Sequence, residues 1–289
     1  MITALLLIFA LVIEHIYDPI SNMKDTLVIN SVYKKYTSII KNYISEKHIL
    51  NILFPIILVI FILISTYLLE HYIHSFLSFT LNLIILVYCL KPNEYNEKIE
   101  DIKFSIENGK DIPEDDRLKY LMTNISEKKS NDDITEITNN LFYNSTRSIF
   151  TVLFWFLVLG PAGCLGYIIL DYFIYGNDIR VDQKSKNKLK IIFGLIEYIP
   201  ARLSAFSFAI VGNFENSLNA WKNLKNNVDL HKGNIILVNT IGLSSFEIIG
   251  NNKKDDLLER ISYIQTIISR SLLAWLSFTM LLIIGGFFI

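Results

Sequence analysis

Long uncharged tracts alternate with polar blocks along the chain. Ile49 to Leu69, Tyr72 to Leu90, Ile149 to Leu170 and Ser271 to Ile289 contain no Asp, Glu, Lys or Arg. A helix needs ~20 apolar residues to cross the ~30 Å hydrocarbon core of a bilayer, and each tract is about that long. The pattern predicts an all-α integral membrane protein, a polytopic helical bundle with about five transmembrane segments. They fall at approximately 2–17, 49–69, 72–90, 149–173 and 267–289. Residues 189–211 are ambiguous and read as a possible re-entrant or broken helix. The connection "EHYIHS", Glu70 to Ser75, is too short for anything but a tight turn, so the second and third segments form a hairpin. Tyr67, Tyr72 and Tyr88 lie near segment ends, where aromatic belts form.

The polar blocks cover residues 18–48, 91–148 and 213–266. In the second, "NEYNEKIEDIKFSIENG" places Tyr95, Ile99, Ile102 and Ile106 at three-to-four spacing before Gly109, which predicts a helix with one apolar stripe. A second helix restarts at Pro113, a residue suited to a first turn. Residues 132–147 then run without a break into the fourth membrane segment. We read 91–148 as a polar helical insertion on the cytoplasmic side of a single membrane domain spanning 1–289. In the third block, Ile235 to Ile249 is weakly apolar and reads as an element lying along the interface. Parity places all three large blocks on one side. The basic run Arg180, Lys184, Lys186, Lys188 and Lys190 argues against that by the positive-inside rule, unless 189–211 is re-entrant.

Composition agrees with the pattern. Hydrophobic residues make up 52% and charged residues 19%, and the mean hydropathy is +0.38; soluble proteins carry about 25% charge. The net charge of −1 offers nothing to nucleic acid. Cys89 and Cys164 both sit in apolar tracts and read as small hydrophobes. The N-terminus lacks a basic leader and a small-residue cleavage site. It reads as a retained first segment with Glu14, His15 and Asp18 at its inner end.

Neither a G-x-x-x-x-G-K-[ST] nor a G-x-G-x-x-G loop is present. The glycine-rich "GPAGCLG" lies mid-segment, and its Gly160, Pro161 and Gly163 predict a kinked, closely packed helix. His71 and His74 are spaced i, i+3 but have only Glu70 beside them, so they read as a polar hairpin tip and no metal site is expected. Four ionisable residues remain in or beside apolar segments: Glu14, Asp171, Glu197 and Arg202. Such a residue costs ~2.5–3.5 kcal/mol at the bilayer centre, less at its edge. Glu14 and Asp171 are either interfacial or functional. In "GLIEYIPARL", Pro200 cannot sit inside a continuous helix, because it lacks an N–H and clashes with the preceding turn. The reading is a break, with one element ending near Tyr198 and a helix starting at Pro200. Glu197 and Arg202 then form either a structural ion pair or the wall of an anion-friendly cavity.

Two stretches carry a resemblance. "FWFLVLGPAGCLGYIILDYF" (Phe154 to Phe173) and "EYIPARLSAFSFAIVGNFENSLNAW" (Glu197 to Trp221) resemble the AmpE family, inner-membrane proteins paired with a cell-wall amidase in bacterial β-lactamase regulation. That family shares a superfamily with the CbiB/CobD enzymes, ATP-dependent synthases that join an aminopropanol phosphate to a corrinoid side chain. The likeness covers most of the chain in layout and is sharp over about 140–222. Where the enzymes carry E-N-x-x-D-G, this chain has Tyr143, Asn144 and, at the aspartate, Arg147. Where they carry N-T-x-D-S-M, it has Asp171 and Ile174. Their acidic pair ahead of P-A-R-L is Phe193 and Gly194 here, and their asparagine three before the proline is Glu197.

Phosphoryl chemistry needs carboxylates to hold Mg²⁺, and these positions have lost them. The resemblance therefore implies a non-catalytic inner-membrane protein, sensory or modulatory in β-lactamase and cell-envelope regulation, with no cofactor. Its expected partners are the lipid bilayer and a cytoplasmic or membrane protein of that pathway. A residual pocket at Asn144, Asp171, Glu197 and Arg202 would take a small anionic or nucleotide-like ligand, with Gly160, Pro161, Gly163 and Pro200 structural. Two alternatives stand: a cobinamide-phosphate synthase, and a transporter or channel subunit. The last predicts inverted internal symmetry, and the two halves show no repeat.

Overall fold

The computed structural model describes residues 6–7, 9–11, 13, 27–40, 47–72, 75–90, 92–107, 133–176, 182–224, 229–246 and 253–285. Among them there is helix and no strand. In chain order the helices are α1 (Leu27–Ile40), α2 (Lys47–Tyr72), α3 (Ser75–Cys89), α4 (Pro92–Glu107) and α5 (Asp133–Ser145). A π-helical turn, Thr146–Phe150, leads into α6 (Thr151–Tyr175). Then come α7 (Gln183–Ile196), α8 (Tyr198–Val211), α9 (Phe214–Asn223), α10 (Leu230–Ser244) and α11 (Lys253–Ile284). The chain divides into two units: Met1–Lys91 with Thr151–Ile196 and Phe288–Ile289, and Pro92–Phe150 with Glu197–Phe287.

Among the described residues, two helices are long and apolar enough to cross a membrane, Thr138–Tyr175 and Leu257–Leu282. The broken pair Gln183–Ile196 and Tyr198–Val211 would make a third. The expected hairpin emerges as α2 and α3, 26 and 15 residues long, with Leu53–Leu68 and Leu77–Cys89 as their described apolar stretches. The described residues thus give two or three candidate spans, and the count of about five suggested by the hydropathy pattern is not confirmed. Most of the first expected segment, with Glu14, lies outside the described residues, as do His74 and the helix restart at Pro113. Large apolar side chains stand exposed on helix faces that water would not favour. Phe61 and Ile64 on α2 are 67% and 55% exposed, and Leu281 and Ile284 on α11 are 67% and 81% exposed. Such apolar faces suit lipid.

In the first unit, α2 packs on α1, α3, α6 and α7. Its centre is aromatic: Phe54 stacks on Phe173 at 5.3 Å, and Tyr33 meets both rings edge-on at 5.2 and 5.4 Å. Tyr167 of α6 stacks on Phe193 of α7 at 5.2 Å. Beside the first cluster runs a chain of polar contacts. The Tyr33 hydroxyl donates to Asn51 Oδ1 at 2.5 Å, and Asn51 Nδ2 donates to Asp182 Oδ1 at 3.0 Å. Asp182 caps α7 by accepting from the Ser185 amide at 3.0 Å and its hydroxyl at 2.6 Å. Helix α6 kinks at Gly160, whose φ of 65° and ψ of −153° belong to glycine. Pro161 restarts the helix there, where its missing N–H is no loss.

In the second unit, α10 is the hub, packing on α5, α8 and α9. The helical part of the stretch read as lying along the interface, Ile235 to Ser244, belongs to this hub. Ile235, Val238 and Ile241 are buried on one side, and Asn234 and Asn239 are buried too. A second face, with Gly233, Ile236, Thr240 and Leu243 at three-to-four spacing, is only half-buried. Gly242 is needed for this closeness. A Cβ there would meet the Phe142 ring of α5 at 2.3 Å. The stripe expected on α4 is buried, with Tyr95, Ile99, Ile102 and Ile106 each at most 4% exposed, and α4 packs on α5 and α11.

Candidate functional site

The polar residues of the second unit converge around Glu197, which is fully buried. Its position follows from the break the sequence announces. Helix α8 begins at Tyr198, so Glu197 is the residue before it, with φ −78° and ψ −11°. Pro200 is the third residue of the helix rather than its first. It is tolerated because the first-turn amides have no intrahelical acceptor in any case, and Ala201 makes the first backbone bond, to the Glu197 carbonyl at 2.9 Å.

The expected pairing of Glu197 with Arg202 does not form. Five residues along a helix is a rotation of about 140°, which puts the two on different faces. Glu197 instead accepts from the Tyr143 hydroxyl at 2.8 Å, and His231 Nδ1 lies 3.5 Å from the same oxygen. Arg202 is half-buried and turns to its own helix and to α10. Its Nη1 donates to the Tyr198 carbonyl at 2.9 Å and to Asn234 Oδ1 at 3.2 Å, and its guanidinium lies 3.4 Å from the Tyr198 ring centroid.

Each partner is positioned by a local device. Asp229 caps α10, accepting from the amides of His231 at 3.0 Å and Lys232 at 3.4 Å, which fixes His231 in the first turn. Asn239 of α10 grips α5 at two points. Its Oδ1 accepts from the Tyr143 amide at 2.9 Å and its Nδ2 donates to Asn140 Oδ1 at 2.7 Å. Tyr143 is thereby held from the backbone as well as from its hydroxyl. Directly after α5 the backbone widens into the π turn, a form frequent at functional sites. Arg147 lies within this turn and is 2% exposed, and Asn144 just before it is equally buried.

Of the four residues expected to line a pocket, Asn144, Glu197 and Arg202 all belong to this second unit. Asp171 is 5% exposed on α6 and belongs to the first. Among the described residues, no three His, Cys, Asp or Glu side chains group as metal ligands would. Sequence reasoning passed over His231, Asn234 and Asn239. The signal was present, since two asparagines interrupt the apolar run "NIILVNTIGL" directly after an Asp-capped helix start. Tyr143 and Arg147 were noted only as substitutions. Their burial, and the bond of Tyr143 to Glu197, come from the fold.

An arrangement of this kind can hold a negative charge away from water. Burying a carboxylate and a guanidinium costs several kcal/mol each unless hydrogen bonds compensate. The Tyr143 hydroxyl supplies such a bond to Glu197, with the His231 ring beside it, and donors of this kind would suit an anionic ligand.

Long helices with exposed apolar faces define a helical membrane protein. The chain belongs to the AmpE family: the family's sequence profile, described as regulatory signalling modulator protein AmpE, matches residues 6–286. A shorter similarity ties it to the cobalamin biosynthesis protein CobD. The protein of that name from Stutzerimonas stutzeri is 30% identical over 88 residues, 29% of each chain. The one from Chromobacterium violaceum is 29% identical over 87 residues, 27% of this chain and 26% of that protein. The chain thus spans less than a third of the length of these curated relatives. No solved structure matches it.

Proposed function

We infer that this is a multi-pass inner-membrane protein without catalytic activity, acting as a sensory or modulatory component of β-lactamase and cell-envelope regulation. The observation that carries the reading is the family match over nearly the whole chain. Its polar centre supports the same view. Tyr143 and Arg147 stand where the resemblance to the synthases puts acids, and Tyr143 is tied to Glu197, where they carry asparagine. A tyrosine and an arginine cannot hold Mg²⁺ against a polyphosphate. The cluster of Asn144, Arg147, Glu197, Arg202 and His231 suits a small anionic or nucleotide-like ligand instead, whose occupancy a cytoplasmic or membrane partner would read.

The test is thermal unfolding of the purified protein with nucleotides and with muropeptides, alongside β-lactam induction in cells carrying Arg202→Ala. A ligand should raise the unfolding midpoint of the wild type, and Arg202→Ala should weaken that rise and alter induction. No shift with any compound, together with unchanged induction, rejects the ligand role. The partial similarity to CobD favours one rival, the synthase. Growth without cobinamide, in a synthase-deficient strain given only this gene, would establish it.

A further inference from the structure

The first unit holds a feature that the regulatory reading leaves unused. Helix α7 carries Lys184, Lys186, Lys188 and Lys190 within its first eight residues. Lys186 and Lys190 are half-buried and one turn apart, and they flank the buried positions Ser185 and Leu189. Among the described residues, none of the four has a carboxylate within ion-pair distance. The nearby acid, Asp182, is taken up by Asn51 and Ser185, and two like charges drawn partly out of water a turn apart are stabilised by an anion from outside the chain.

A second observation says what else that anion carries. Helices α1, α2, α3 and α6 enclose a partly open cavity of about 190 Å³, lined by Val32, Leu58, Tyr88, Leu165 and Ile169 among others. Apolar cavities of ~150 Å³ stay dry and admit hydrocarbon. The cavity belongs to the same unit as the lysines and is linked to them through α2. Asn51 of α2 bonds Asp182 at the start of α7, and Leu58 lies seven residues further along α2, about 10 Å at 1.5 Å per residue. Lys186 and Lys190 lie four and eight residues beyond Asp182 along α7, about 6 and 12 Å at 1.5 Å per residue, a length on the scale of the ~15 Å half-thickness of the hydrocarbon core.

We propose that the first unit binds one anionic phospholipid, its phosphate on Lys186 and Lys190 and part of an acyl chain in the cavity beside Leu58 and Leu165. A bound lipid would supply the counter-charge that the described chain lacks and fill space that side chains leave empty. It shares no residue with the cluster around Glu197.

The test uses the full chain purified in mild detergent, with lipid retention read by native mass spectrometry. Phosphatidylglycerol and phosphatidylcholine of matched chains are the probes. Wild type should retain phosphatidylglycerol at least about fivefold more strongly, and Lys186→Gln with Lys190→Gln should lose about fivefold for each lysine removed. Leu165→Phe should reduce retention of both lipids. Should that variant not fold, dihexanoyl phosphatidylglycerol replaces it, since chains this short fill little of the cavity and should bind several-fold less tightly. Equal retention of the two headgroups by wild type, or selectivity that survives the double substitution, overturns the proposal. Glycerol 3-phosphate competing as well as the whole lipid would reveal a free-anion site and overturn it equally.

Discussion

The two units solve the same problem differently. Both are helical and rich in apolar residues, yet the first centres on stacked rings, with Phe54, Phe173 and Tyr33 together and Tyr167 on Phe193. Its lysines stay half-buried or exposed along α7, and Asp171 is its one buried acid among the described residues. The second unit buries Glu197, Arg147 and His231 as well as four asparagines. Ring stacking tolerates small shifts, because each pair is worth only ~0.5–1.5 kcal/mol beyond its burial. A buried charge tolerates none, since a missing partner costs about 3–5 kcal/mol. The second unit is thus the less forgiving of the two, and the better suited to registering a change of charge.

Substitutions can break this contrast. The largest effect should come from Glu197→Ala, which leaves the Tyr143 hydroxyl without its acceptor and His231 beside an empty space. We expect a loss of about 3 kcal/mol or more in denaturant unfolding, with Glu197→Gln milder because it keeps an acceptor. A loss within about 0.5 kcal/mol, the range of an ordinary surface change, would show that the polar centre is not what organises the unit. Next is Gly242→Ala, whose new methyl would lie against the Phe142 ring. Overpacking of this kind costs about 1–3 kcal/mol, and hydrogen exchange should quicken in α5 and α10.

In the first unit, Gly160→Ala meets open space, so any cost is that of the backbone alone, about 1–3 kcal/mol for a conformation that suits only glycine. A stability unchanged from wild type would mean the kink relaxes freely. The smallest effect belongs to Asp182. Hydrogen bonds from the Ser185 hydroxyl hold its carboxyl below the usual value. Its contribution is therefore complete above the unfolded carboxylate value of about 4 and is lost as pH falls through the lower folded value. Asp182→Asn should flatten the acid limb of the stability curve by well under 1 kcal/mol, because the group is exposed. An unchanged curve would remove Asp182 from the acid response.

Much of the local structure was legible from residue order. The stripe of α4 followed from the three-to-four spacing of Tyr95, Ile99, Ile102 and Ile106, since that period lines up one helix face. The break before Arg202 followed from Pro200, though the helix began two residues earlier than a first-position proline would require. The number of spans was less legible, because hydropathy registers burial in protein and burial in lipid alike. The window within Thr138–Tyr175 is 61% buried by the chain itself, against 28% within Leu257–Leu282.

The candidate site divides along the same line. By itself the sequence determined that Glu197 and Arg202 needed explanation, because charges in an apolar run are costly wherever the chain places them. It also set where the helices break, because proline and glycine act on their own backbone. Only the tertiary structure decided the partners. Tyr143 lies 54 residues from Glu197 along the chain, and Arg202 bonds Asn234 across 32. Helical periodicity relates residues three and four apart and says nothing about which faces meet. The choice of Tyr143 and His231 for Glu197 was made by α5, α8 and α10 packing closely, where Gly242 leaves room for Phe142.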